Sequence, residues 1–460
     1  MFLLKTSLFN PIDLLAFPLA LIVLYLASKI MLRNEDNETK AFFLQAFWVR
    51  VLMLLIFTAV MQYYYGGGDS FRYYISILDI RSALNDRAIS LWDLITTSKA
   101  DSFHPLYNYF SYDELGENHY YMMRAPNFAV PKIGTFFSFI FFNSYLAIGF
   151  CFSYFALLGS MGIYKVFARE FPRMKNQIAL ACFFFPTVCF WSSGLLKDSL
   201  TFGALGFLFS AVYNVLVLHK NFTASIIKTI IAVYILYIIK PYIMLAFIPG
   251  LLLLIFTRWT DKVESRQLKR LAFALMMIIG LLGGVFLYMN LTSEGALGQY
   301  RAEVIFDAID RQRNVFETAN VSDRSGSNFD LGSDNPVLTF PLGIVASYFR
   351  PFLWEIRNPV MALSALESLL CSLLVIFLFV KVGFFRTLRI ALGNPFTIFC
   401  LVFSLLFGGA VGTSTGNFGS LVRYKIPGLP FFLLLILITL HLANVSLPAR
   451  VRKIKLFQTT

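Results

Sequence analysis

Four polar stretches interrupt an otherwise apolar chain, and their residue types suit acid–base chemistry beside a charged leaving group. The first is Tyr63-Tyr64-Tyr65-Gly66-Gly67-Gly68-Asp69-Ser70-Phe71-Arg72-Tyr73-Tyr74, where glycines free the backbone and a carboxylate follows at once. The second is Ser192-Ser193-Gly194-Leu195-Leu196-Lys197-Asp198-Ser199, and the third is Lys240-Pro241-Tyr242. The fourth runs from Asn417 to Pro430 and contains Arg423-Tyr424-Lys425-Ile426-Pro427-Gly428-Leu429-Pro430. Carboxylates such as Asp69 and Asp198 serve as general bases or hold a divalent cation. Cations such as Arg72, Lys197, Lys240 and Arg423 neutralise a phosphate. Tyr73, Tyr74 and Tyr424 suit stacking on a sugar or flanking a lipid chain, and Ser70 and Tyr242 lie beside them as further expected substrate contacts.

Each stretch also has a plainer reading. The glycine run stops a helix, and Lys197 with Asp198 forms a local ion pair at a helix start. Arg423 and Lys425 snorkel as interfacial anchors, Lys240 marks a helix end before proline, and the tyrosines belong to an aromatic belt. No stretch decides alone. Their common side of the membrane is what favours a site.

That side follows from the elements that carry them. Hydrophobic residues make up 58% of the chain and charged ones 14%, whereas soluble domains carry roughly 45–50% and about 25%. The composition fits an all-α polytopic membrane protein. A span needs about 20 apolar residues, and eleven transmembrane helices are expected: 12–32, 42–64, 144–166, 177–192, 199–218, 224–240, 242–257, 271–289, 360–383, 395–413 and 426–446. The first is too long for a signal-peptide core and reads as a retained span. The split at Lys240-Pro241-Tyr242 leaves one long kinked helix as the alternative.

Lysine and arginine set the orientation. One set of short connections holds Lys29, Arg33, Lys40, Lys165, Arg169, Arg173, Lys175, Lys220, Arg258, Lys262, Lys381 and Arg386, and the C-terminal tail is basic too. This side is assigned to the cytoplasm. Two long loops, 66–131 and 290–357, then lie outside and are each net −3. The overall charge of +13 is therefore a topology signal, and it does not point to nucleic acid. The five cysteines lie inside apolar runs and the four histidines are scattered, so neither a disulfide framework nor a metal-ligand spacing is visible.

The chain reads as a single integral membrane domain, 1–460, with its two long external loops partly ordered. Residues 75–97 and 300–318 have helical periodicity that suits helices lying along the interface. Residues 319–337, rich in Ser, Asp, Asn and Gly, read as a surface loop. The segment Gly343–Arg357 is aromatic and cationic, and its Arg350 is a further expected substrate contact.

These features resemble the multispanning glycosyltransferases of the GT-C superfamily that use polyprenyl-phosphate sugars, and most of all the protein mannosyltransferase and lipid A aminoarabinose transferase branch. That family places an acid in the first external loop just after a span, with tyrosine soon following, as Asp69 and Tyr73 stand here. It also has a proline near a span's outer end and then a polar turn with an acid opening the next span, matched by Pro186, Trp191, Ser192, Ser193 and Asp198. Near the C-terminus many members carry Arg-Tyr-x-x-Pro-x-x-Pro before a final apolar helix, and Arg423, Tyr424, Pro427 and Pro430 fit it position by position. The motifs touch about a tenth of the chain, and Asp69 departs from members with two adjacent acids because Ser70 follows it.

The resemblance implies transfer of a sugar from a polyprenyl-phosphate-linked donor to a glycan, lipid or protein acceptor at the outer face of a membrane. The many long spans and the retained first one fit a bacterial inner membrane, with the endoplasmic reticulum as the alternative setting. It implies catalytic roles for Asp69 and Asp198, with Asp69 deprotonating or orienting the acceptor hydroxyl. Lys197 then lines the cavity and Arg423 contacts the donor phosphate, while a divalent cation is an open option. Two other readings compete. A polysaccharide polymerase or ligase acting on undecaprenyl-diphosphate glycans would build its cavity around Arg301, Arg311, Arg313, Arg350 and Arg357. A transporter or flippase would carry charges at the midplane of several helices, and here Arg50 is the clearest such residue.

Overall fold

The structure is a computed structural model that describes residues 7–111, 118–260, 265, 267–268, 328–331 and 336–445. All regular elements among these residues are helical, and the chain is an all-α polytopic membrane protein. It packs as two compact units. The first takes the chain up to Val212 together with Thr223–Lys240, and the second takes Tyr213–Phe222 and the described residues from Pro241 onward.

In the first unit, α1 (Asp13–Met31) and α2 (Asn37–Ala59) form an antiparallel start, and α2 runs on through a π-helical stretch, Val60–Tyr65. Next come α3 (Asp69–Asn85), α4 (Leu91–Thr96), α5 (Leu106–Ser111), α6 (Asn118–Met122) and α7 (Ala125–Ile140). The long α8 (Tyr145–Glu170) follows, then α9 (Lys175–Ala179), α10 (Pro186–Trp191), α11 (Lys197–Leu216) and α12 (Phe222–Ile239). Apolar on every side and buried along nearly its whole length, α8 is the core of this unit. Lipid-like exposure falls instead on α1, where Leu14, Leu15, Ile22, Leu26 and Ile30 are open. Where α8 meets α11 the backbones nearly touch: a Cβ on Gly206 would sit 2.1 Å from the carbonyl oxygen of Gly159. Small residues permit this approach, which drives helix association in a medium as apolar as the side chains.

The expected span at 177–192 is broken in the structure. After α9 the backbone loosens into a π-helical turn over Leu180–Phe184, Phe185 is extended, and α10 restarts at Pro186. Proline lacks the amide hydrogen that would continue the ladder and pushes the residue before it out of helical geometry. Arg50, fully buried in α2, meets the end of this broken segment. Its guanidinium reaches the Ser192 hydroxyl, with the Cys189 carbonyl and the Ser160 hydroxyl each at 3.5 Å. A cation at the carbonyl end of a short helix is electrostatically favourable. The residue that stood out as a midplane charge therefore supports a broken helix.

The second unit contains α13 (Pro241–Thr260), α14 (Pro336–Phe349), α15 (Pro359–Val382), α16 (Phe384–Gly393), α17 (Pro395–Ser414), α18 (Phe418–Tyr424) and α19 (Leu429–Leu442). Asparagines cap three of them, since the side chains of Asn358, Asn394 and Asn417 accept from the first free amides of α15, α17 and α18. Helix α17 is the centre. Phe399 and Phe403 on it interlock with Phe247 of α13 and Phe431 of α19, and its Gly412 faces Gly343 of α14 so closely that a Cβ would lie 1.9 Å from the Gly343 carbonyl oxygen.

By length and composition, eight described helices are able to cross a membrane: α1, α2 with its π extension, α8, α11, α12, α13, α15 and α17. The pair α18–α19, bent by 64°, makes a ninth if it is one span. These match nine of the expected runs. The run at 271–289, the interfacial helix at 300–318 and most of the surface loop at 319–337 lie outside the described residues. At Lys240 the helix is interrupted, with α12 ending at Ile239 and α13 beginning at Pro241. The interfacial helix at 75–97 is two helices, α3 and α4, with α3 starting earlier at Asp69. Helices α7 and α14 were not expected as helices at all.

Candidate active site at the helix ends of the first unit

Asp69 owes its position to the glycines before it. Gly66 and Gly68 take φ of +62° and +109°, angles that L side chains rarely adopt, and the chain turns out of the π-helical stretch straight into α3. Asp69 is the first residue of α3, where its negative charge meets the positive end of the helix. Ser70, Phe71, Tyr73 and Tyr74 are buried and fix the helix in place.

The carboxylate is half-buried and accepts a hydrogen bond at Oδ1 from the Tyr121 hydroxyl at 2.7 Å. Tyr121, in α6, is the hub of the cluster. The Tyr73 hydroxyl lies 3.1 Å from its own, the Arg72 guanidinium carbon is 5.2 Å from its ring centre, and the Lys197 ammonium is 5.8 Å from the same centre. Lys197 opens α11 and donates to the Asn127 side-chain oxygen. Asn127, buried in α7, donates in turn to the Tyr121 carbonyl at 2.8 Å. One carboxylate and two cations are thus gathered around one tyrosine from the first turns of α3 and α11. Asp69, Arg72, Tyr121 and Lys197 all retain partial exposure.

Asp198 stands differently. The sequence puts it beside Asp69 as a second working carboxylate, but its side chain is fully buried and forms an ion pair with Lys240 at the end of α12. Neighbouring Lys197 and Asp198 therefore reach Asn127 and Lys240 respectively. Lys240 is equally committed, with its side chain only 8% exposed. Ser70 is also internal: its hydroxyl is 2.6 Å from that of Tyr145 and donates to the Leu195 carbonyl at 3.2 Å, tying α3 to the turn before Lys197. Ser70, Asp198 and Lys240 are all buried.

The remaining expected residues belong to the second unit. Arg350 is held by Glu355, lies 4.5 Å from the ring centre of Phe329 and 5.2 Å from that of Phe418, and donates to the Asp330 carbonyl at 3.0 Å. Its guanidinium clamps residues 328–331 to the start of α18. Arg423 and Tyr424 close α18 at the bend before α19, and Lys425 in that bend is buried with its ammonium 3.3 Å from the Ser368 hydroxyl. Tyr242 stacks on Phe407 at 6.2 Å. Arg301, Arg311 and Arg313 lie outside the described residues.

The sequence reading missed Tyr121 and Asn127, the two neutral residues that join Asp69 to Lys197. Both are uncharged and lie in short helices that no apolar run announces. Among the described residues, no three His, Cys, Asp or Glu side chains gather in a way that would hold a metal ion. No family model matches the chain, and no curated protein or solved structure matches it either.

Proposed function

We propose that the chain is a membrane glycosyltransferase that moves a sugar from a polyprenyl-phosphate-linked donor to the hydroxyl of a glycan, lipid or protein acceptor, with its working face on the non-cytoplasmic side. The observation that carries this reading is the half-buried Asp69 carboxylate, held by Tyr121 with Arg72 and Lys197 on the same ring. In this mechanism Asp69 takes the proton from the acceptor hydroxyl, and the acceptor oxygen attacks the anomeric carbon. The bond from that carbon to the phosphate oxygen breaks, and its electron pair leaves with polyprenyl phosphate. Inversion at the anomeric carbon follows from the single displacement. Lys197 and Arg72 offset the charge that grows on the departing phosphate, where fixed cations in a partly dry site act strongly. The tyrosine held between base and cations keeps the geometry fixed before substrate arrives.

The test is turnover by the full chain in proteoliposomes, supplied with labelled polyprenyl-phosphate hexoses and pentoses and a mixed acceptor extract. The expected result is glycosylated product with an equal amount of polyprenyl phosphate released. Turnover only when undecaprenyl-diphosphate glycans replace these donors, with undecaprenyl diphosphate released, would favour a polymerase or ligase. No turnover with any donor in the series would remove the transferase reading.

A further inference from the structure

Between α7 and α12 lies a small, partly open pocket of about 60 Å³. Lys132 and Ser98 line one side, facing Tyr234, Ile235, Ile238 and Ile239 of α12. The walls are apolar and Lys132 is the one cation among them. Its ammonium is pinned by the carbonyls that end α4, donating to Ile95 at 2.6 Å and Thr97 at 2.9 Å. An ammonium has three donors, so one N–H is left over for a ligand. Below the cavity α12 turns Ile226, Ile227, Ile230, Ile231 and Tyr234 outward, and all are exposed. A ligand seated here therefore meets a fixed cation at one end and an open stripe of branched hydrocarbon beyond it.

The geometry points to a site for an anionic glycerophospholipid of the bilayer, its phosphodiester on Lys132 and Ser98 and its acyl chains along the isoleucine face of α12. One ammonium matches the single charge of a phosphodiester. Basic pockets between membrane helices bind lipid head groups in this way, and long cationic side chains hold their charge at the interface while their stems stay apolar. Burial keeps the Lys132 ammonium below the usual lysine range, and an adjoining phosphate removes that cost. The inference stands on the cavity and needs no sugar transfer.

Phosphatidylglycerol is the probe, followed by native mass spectrometry of the full chain after reconstitution in phosphatidylcholine with a minor share of phosphatidylglycerol and mild delipidation. The wild-type chain is expected to keep one phosphatidylglycerol. Lys132→Met should lower its retention about fivefold or more, the effect of one cation at a membrane surface. Ile238→Trp, which fills the cavity and leaves the charge, should lower it as well. Lys228→Met, on α12 but facing Phe207, should leave retention unchanged. Excess inorganic phosphate should not displace the lipid, because a free anion gains nothing from the isoleucine face. Equal retention by wild type, Lys132→Met and Ile238→Trp would overturn the site. So would displacement by phosphate alone, or recovery of a polyprenyl phosphate in place of the phospholipid.

Discussion

Asp69→Asn is expected to slow sugar transfer by about a thousandfold, since a positioned general base contributes roughly 10²–10⁴ in rate. Asparagine keeps the shape of the side chain and an oxygen to accept from Tyr121, so the local frame survives while the proton acceptor is lost. The stability effect should be small. Removing a favourable charge from a helix N-terminus costs on the order of 1 kcal/mol or less, too little to unfold the unit. Rate and stability should therefore separate: initial rates in proteoliposomes fall steeply while the thermal unfolding midpoint in detergent barely moves. An Asp69→Asn chain that turns over normally would remove Asp69 as the base, and one that fails to insert would point to a purely structural carboxylate.

Lys240→Met should have the opposite signature. Asp198 and Lys240 are paired out of reach of water, and deleting one partner strands the other as an uncompensated buried charge, a cost of about 3–5 kcal/mol. The double change Asp198→Leu with Lys240→Met removes both charges and should recover most of that loss, because a buried pair replaced by apolar residues is often close to neutral. Unfolding of the single and double variants in mild detergent measures the coupling directly. A single variant that loses less than about 1 kcal/mol would place the pair among solvent-screened surface bridges. A double variant as unstable as the single would show that the packing of these side chains matters more than their charges.

Much of the fold is legible in the sequence because a lipid environment leaves a simple mark. Runs near 20 apolar residues stand out, and nine of those expected coincide with helices in the structure, counting the bent α18–α19 pair as one. What escapes is helix that is too short or too interrupted to look like a span. Helix α7 carries Pro131 and is 16 residues long, and α14 carries Pro341 and is 14 residues long. A proline inside a helix removes a backbone donor, yet α14 is held in place by its close contact with Gly412.

The cluster was half legible for a related reason. Asp69, Lys197, Asp198 and Lys240 are conspicuous as charges at the ends of apolar runs. Their pairing is not, because it is set by which helix ends meet. Lys197 reaches Asn127, 70 residues away, while Asp198 reaches Lys240, 42 residues away. Arg350 is conspicuous as a cation, but its partners are not. Phe329, Phe418 and Glu355 gather around its guanidinium from separate stretches of the second unit.

The central claim is that the acid opening α3 and the lysine opening α11 work on the same lipid-linked sugar. It is tested most directly by a cryo-EM structure of the full chain with a phosphonate analogue of the donor, whose sugar cannot be transferred. The account places a phosphonate oxygen within hydrogen-bond distance of the Lys197 ammonium, about 2.7–3.2 Å, with the anomeric carbon facing the Asp69 carboxylate across a gap the size of one hydroxyl. An analogue bound elsewhere, with Asp69 and Lys197 turned to protein partners alone, would contradict it.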